Sequence, residues 1–323
     1  MNNHKIVLVI GNGFDIDLGL ETRYEDFLDS KYFEEHIKGS PFEPDNIYRK
    51  QFNVLKEDLN LFDYLSHKCK KNQNWIDIEK ELAELAKSST KRFRKASQTE
   101  EETFELLHKQ LCSYLKSIDY SNINNSTSLQ LLRVLCKCAN VEIISYNYTD
   151  LHKLESYLQC RLNMPIDHVH GKIEDESIIL GFEDDIEIDN SYAFMIKSFS
   201  PHYKSHNVRQ KLLEANEVIF FGHSLGSTDY HYFQDLFRRQ SNPDLADKKQ
   251  IIRIFTYDEK SRRDILIRLR EMNDKRTDYI FDLCDFNLYR TKNGIDKNKI
   301  DIYLKELFNR AEDIPLDTIL TNL

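Results

Sequence analysis

The apolar positions of the chain fall into two periodicities. Ile6 to Ile10 reads IVLVI, an unbroken apolar run, which is the pattern of a strand buried on both faces. Similar runs return at 141–147 (VEIISYN), 166–171 (IDHVHG), 177–182 (SIILGF), 217–224 (EVIFFGHS) and 251–258 (IIRIFTYD). Between 47 and about 137 the spacing is helical instead. FNVLKEDLNLFDYLSHKC, WIDIEKELAELAKSS and EETFELLHKQLCSYLKSI repeat apolar residues at i, i+3 and i+4, and LQLLRVLCKC follows the polar loop SNINNSTS. TRYEDFLDSKYFEEH predicts an earlier helix, and GSPFEPDN punctuates the chain after it with Gly and Pro.

Helical segments fit between the later strands: TDLHKLESYLQCRL, HNVRQKLLEAN and DYHYFQDLFRRQ. Strand alternating with helix predicts an α/β protein with a parallel, Rossmann-like doubly wound sheet. Its domain would be discontinuous, built from 1–38 and 138–290. Residues 39–137 would form a helical insertion after the first βα unit. DYIFDLCDF reads as a last strand, and 291–323 as a C-terminal helix and tail.

Composition narrows the class. Of 323 residues, 40% are hydrophobic and 31% charged, which suits a water-soluble globular chain. No run of ~18 apolar residues is present, as a membrane span would need. MNNHK has neither the charged nor the apolar region of a secretory signal, so the expected location is the cytoplasm. A net charge of −9 argues against a bulk electrostatic grip on nucleic acid, although KSSTKRFRK (87–95) is locally basic. The cysteines (69, 112, 136, 138, 160, 284) form no C-x-x-C pair and read as reduced thiols.

Ligands of open parallel sheets bind at the carboxyl ends of the strands, so the residues after each apolar run carry the information. They are Gly11-Asn12-Gly13-Phe14-Asp15, then Ser145-Tyr146-Asn147-Tyr148-Thr149-Asp150, then His168-Val169-His170-Gly171. Gly222-His223-Ser224 opens the fourth group, which runs on to Asp229, and Tyr257-Asp258 is the last. Each has a plain structural reading. Gly11 and Gly13 suit a tight turn or a close approach by a ligand. Neither a P-loop Lys nor the third glycine of the dinucleotide fingerprint follows them, Ile16 standing in its place. Asn147 could cap the next helix, as could Thr149 or Asp150. His168 and His170 alternate and would share one strand face. Asp258 could cap a helix or hold ribose hydroxyls. Their joint occurrence at strand ends favours a nucleotide site.

The motifs GNGFD, W-x-D-x-E (Trp75, Asp77, Glu79), YNYTD, HVHG and GHSLGSTDYHYF together resemble the AbiH family of bacterial abortive-infection proteins. That family is in turn distantly similar to sirtuin-like domains. The resemblance implies a cytoplasmic anti-phage protein that cleaves the nicotinamide–ribose bond of NAD, with NAD as substrate and no metal. It implies Asn147, His170 and Asp15 as catalytic groups. It also implies Gly11, Asn12, Gly13, Phe14, Gly222, His223, Ser224 and Asp258 as cofactor-binding, with the Gly11 and Gly13 amides on the diphosphate. Asp77 and Glu79 would be an acid/base contribution from the insertion. A phage-derived trigger or partner protein, and a homo-oligomer, are the expected partners. The sirtuin zinc module has no counterpart here, which disfavours deacylation. Two other readings stay open: a nucleotide-binding sensor without turnover, and a metal-dependent nuclease or phosphohydrolase using Asp15, Asp77, Glu79 and Asp229.

Overall fold

The computed structural model describes residues 4–38, 60–71, 77–91, 95–226, 229–245 and 249–312. Trp75, Ser227, Thr228 and all of GSPFEPDN lie outside the described residues. Contacts divide the chain into two compact units. The first comprises Met1–Leu20, Asp119–Val169 and Ser205–Leu323, and the second Glu21–Ile118 and His170–Lys204.

The first unit is an α/β domain. Its strands, among the described residues, are β1 (Ile6–Ile10), β2 (Val141–Ser145), β3 (Ile166–His168), β4 (Glu217–Phe221), β5 (Ile251–Thr256) and β6 (Asp285–Arg290). All pair in parallel, in the order β3-β2-β1-β4-β5-β6. This is the Rossmann-like strand order, and it reverses direction between β1 and β4. The continuous apolar runs of β1 and β4 follow from their central position: every residue of both is buried, on one side against Val208, Leu212, Phe233 and Phe237. Burying side chains of this size contributes roughly 1.5–3 kcal/mol each.

The helices of this unit are α1 (Asn12–Leu18), α7 (Thr127–Leu135), α8 (Glu155–Leu158), α9 (Val208–Glu214), α10 (Tyr230–Gln240), α11 (Glu259–Met272), α12 (Thr277–Leu283) and α13 (Lys297–Glu312). Helix α1 stops at Gly19, whose φ of +88° lies in the left-handed region. Its Asp17 carboxylate accepts from the Ser128 amide at 2.8 Å, so a distant residue caps α7. The second unit carries α2 (Tyr24–Leu28), α3 (Lys31–Glu34), α4 (Leu61–Lys71), α5 (Ile78–Lys91) and α6 (Gln98–Lys116). Ser97 and Glu100 close a capping box at the start of α6.

Several sequence expectations need correction. SIILGF is not a strand; it is an irregular segment whose only ladder contact is a bridge from Phe182 to Ile196. Its apolar run is buried against helical neighbours, which periodicity does not separate from a buried strand. DYIFDLCDF is helix to Leu283, and the strand begins at Asp285. TRYEDFLDSKYFEEH breaks into α2 and α3, and TDLHKLESYLQCRL shortens to a 3₁₀ turn (Leu151–Leu154) plus α8. Strand β3 ends at His168, so His170 is outside the ladder and shares no strand face with it.

Candidate functional site

At the point where the strand order reverses, the loops after β1 and β4 are packed backbone to backbone. The Gly11 amide donates to the Phe221 carbonyl at 3.1 Å, and the Gly13 amide to the Gly222 carbonyl at 2.9 Å. The Phe14 amide donates to the Gly11 carbonyl at 2.8 Å. A Cβ on Gly13 would sit 2.7 Å from the Gly222 Cα, and one on Gly11 2.7 Å from the His223 Cα. Gly222 has φ +64°, and a Cβ there would overlap the Gly13 backbone. The glycines therefore make room for each other. Their amides are spent inside the fold, which corrects the expectation that they meet a diphosphate.

Asp15 lies beneath this junction and is 1% exposed. Asn147, at the end of β2, donates from Nδ2 to Asp15 Oδ1 at 2.9 Å and to the Gly11 carbonyl at 3.0 Å. The Thr149 hydroxyl donates to Asp15 Oδ2. Asp15 is thus buried, with its carboxylate held by Asn147 and Thr149. With both amide protons turned inward, Asn147 offers only the acceptor Oδ1 to anything outside the cluster. Capping falls to Asp150, which accepts from the His152 amide at 2.9 Å. His168 places Nδ1 3.4 Å from the Asn147 carbonyl.

His223 is buried and fully engaged. Its Nδ1 accepts from the Leu225 amide at 3.0 Å, so the ring proton sits on Nε2, 3.5 Å from Asp229 Oδ2. The rings of Tyr146 and Phe233 stand edge-on to it at 4.5 and 5.0 Å. Phe14 is buried with its ring edge-on to Phe221 at 5.4 Å. Both residues are buried and pack in the core. Asp258 caps α11, accepting from the Ser261 amide at 3.0 Å, and lies 3.5 Å from Lys292 Nζ. The backbone amide of Ser261 holds its carboxyl below the ordinary range. Of the expected binding residues, Asn12 and Ser224 have exposed side chains at the β1 and β4 ends.

The remaining expected residues belong to the second unit. Asp77 caps α5 through the Lys80 amide at 3.1 Å. Glu79 pairs at 3.0 Å with Lys197, whose side chain is 2% exposed. Lys197 also pairs with Glu183 at 3.3 Å, and its Nζ lies 3.4 Å from His170 Nε2. An ammonium only donates, so in this contact His170 Nε2 is the acceptor. The His170 carbonyl accepts from the Ile179 amide at 2.8 Å. Lys197 and Glu183 carry no local sequence signal: each is one charged residue in an irregular stretch.

The all-parallel sheet and its order define an α/β protein of Rossmann-like architecture. The chain belongs to the family described as "Bacteriophage abortive infection AbiH", which matches residues 7–246. Membership associates it with a bacterial anti-phage, abortive-infection role. No curated protein matches the chain. Among the described residues, no helix is long and apolar enough to cross a membrane.

Proposed function

We propose that the protein hydrolyses NAD, or a closely related nucleotide, at the nicotinamide–ribose bond. The observation that carries this reading is the Asp15–Asn147 pair between the ends of β1 and β2, beside the point of strand reversal. Ligands of open α/β sheets bind outside the carboxyl ends of the strands near that point. A buried carboxylate that fixes the amide sets the orientation of Asn147 and so of its acceptor Oδ1. In glycosidic cleavage the transition state resembles an oxocarbenium ion, and an acceptor that positions water or a ribose hydroxyl is what the reaction needs. Asn12 and Ser224 add exposed polar groups at the neighbouring strand ends. His170 is the base by family resemblance.

A metal-dependent nuclease is the weaker reading. Its four carboxylates are committed elsewhere: Asp15 to Asn147 and Thr149, Asp77 to a helix end, Glu79 to Lys197 and Asp229 to His223. The test is nicotinamide release from NAD by the purified chain, with Mg²⁺ or EDTA in matched samples and Asn147→Ala and His170→Ala in parallel. The expected result is release by the wild type, indifferent to EDTA, and a fall of roughly 10²-fold or more in each variant. Release that is undiminished in Asn147→Ala sinks the assignment. NAD or ADP-ribose binding without turnover would select the sensor reading instead.

A further inference from the structure

Among the described residues, the outer edge of the sheet at β6 carries an unfilled pairing surface. Strand β6 bonds to β5 through Asp285, Asn287 and Tyr289, so the N–H and C=O groups of Phe286, Leu288 and Arg290 point away from the sheet. Asp296 closes the window at one end: it accepts from the Arg290 amide at 2.9 Å, and its own amide donates to the Arg290 carbonyl at 3.4 Å. Phe286 and Leu288 remain, each with an N–H and a C=O aimed outward. A cavity of about 390 Å³ follows this edge, lined by the basic Arg262, Arg290 and Lys299, the acidic Glu259 and Asp296, and Phe281. The Phe281 ring stands edge-on to Phe286 at 5.0 Å, yet is 51% exposed.

We propose that this edge is the dimer surface of the protein, and that a second copy of the chain docks on it by antiparallel pairing of β6 with β6 about a two-fold axis at Asn287. Such an axis sets Phe286 opposite Leu288 of the other copy. Each then exchanges both backbone bonds with the other, and the open window is filled on both chains. The charges agree with this register. Exposed Asp282 lies just before the strand and exposed Lys299 beyond its other end, whereas Asp285, Arg290 and Lys292 are paired within the chain with Arg253, with Glu259 and Asp296, and with Asp258. Antiparallel pairing brings the Asp282 end of each copy to the Lys299 end of its mate. A parallel partner of the same sequence would oppose like charges. The edge is short, which protects it from open-ended aggregation, and a two-fold contact fills this edge on both chains at once.

The test uses the full-length protein in sedimentation velocity at about 1–100 μM, a range chosen to bracket modest interface affinities. The side chain of Asn287 is exposed, and across the axis it would face its own copy at roughly 4.5–5.5 Å between Cβ atoms. Asn287→Lys and Asn287→Asp each place like charges there. Each variant alone is expected to sediment as monomer, with dimerisation weakened roughly tenfold or more, and a one-to-one mixture of the two to recover the dimer. Unchanged circular dichroism would show that both variants fold. A wild type that is monomeric throughout, variants that dimerise as the wild type does, or a mixture that stays monomeric would each overturn the proposal.

Discussion

Replacing Gly13 or Gly222 by alanine separates two reasons for a glycine at a strand end. If the glycines admit a ligand, alanine harms binding and leaves the empty protein as stable as before. If they admit each other, alanine harms the empty protein. At Gly13 the new Cβ meets the Gly222 Cα at 2.7 Å, where contact distance is 3.4 Å or more. The obstacle is backbone held by the 2.9 Å bond between the same two residues, so no side chain can swing aside. Overpacking of this kind costs roughly 1–3 kcal/mol. Gly13 lies in α1, where alanine gains back up to about 1 kcal/mol of helix propensity. Gly222 has no such offset, and its φ of +64° adds roughly 1–2 kcal/mol. The expected losses are therefore about 0–3 kcal/mol for Gly13→Ala and about 2–5 kcal/mol for Gly222→Ala. Guanidinium unfolding followed by circular dichroism measures the loss, and amide exchange in β1 and β4 shows where it falls. A Gly222→Ala protein within about 0.5 kcal/mol of the wild type would refute the packing account.

Asp15→Ala strips the carboxylate from the Asn147 amide and the Thr149 hydroxyl; a loss of about 2–4 kcal/mol is expected, read by thermal melting, with Asn147-dependent turnover falling alongside it. Glu217, 0% exposed at the start of β4, gives a pH prediction. Burial alone would raise its carboxyl. His4 at 3.1 Å, Arg310 at 2.9 Å and the Tyr303 hydroxyl at 2.7 Å outweigh burial and hold it below its ordinary value of 4.5. A carboxyl depressed in the folded state contributes stability that is present above its unfolded pKa and is lost as pH falls through the folded one. Unfolding free energy should therefore drop below about pH 4.5, and Glu217→Gln should flatten that acid limb at a cost of about 1–3 kcal/mol near neutrality; an acid limb as steep as the wild type's would contradict it.

The parallel sheet was legible in the sequence because its central strands are buried on both faces, and IVLVI and EVIFF then have no other reading than continuous burial. Edge strand β6 was not, because its pattern mixes exposed Asp285 and Asn287 with buried Phe286 and Tyr289, and a helix runs directly into it. The strand-end rule located Asn147 and Asp15, but it gave no sign that they bond to each other across 132 residues of chain. Nor did it show that His223 and Phe14 are buried, since an imidazole or ring at a strand tip looks the same whether it faces solvent or is wedged between Tyr146 and Phe233 or against Phe221. Lys197 was invisible for a plainer reason. A single lysine is ordinarily a surface residue, and only the carboxylates of Glu79 and Glu183 make its burial tolerable.

The spent amides constrain what the rim of the sheet can recognise. A diphosphate seeks N–H donors, and the β1 turn has already given those of Gly11, Gly13 and Phe14 to carbonyl partners. What it presents instead are the exposed residues Asn12 and Ser224. Asn147 is buried and has only the acceptor Oδ1 left to offer, which suits a hydroxyl or a water and repels a phosphate oxygen. Under the proposed reading, the ribose that bears the scissile bond therefore lies at the end of β2, and phosphate recognition falls to Asn12 and Ser224. On this account Ser224→Ala weakens binding more than turnover, whereas Asn147→Ala weakens turnover more than binding. A KM-against-kcat comparison of the two variants distinguishes it from a site in which the β1 amides hold the diphosphate, where both substitutions would act on turnover alone.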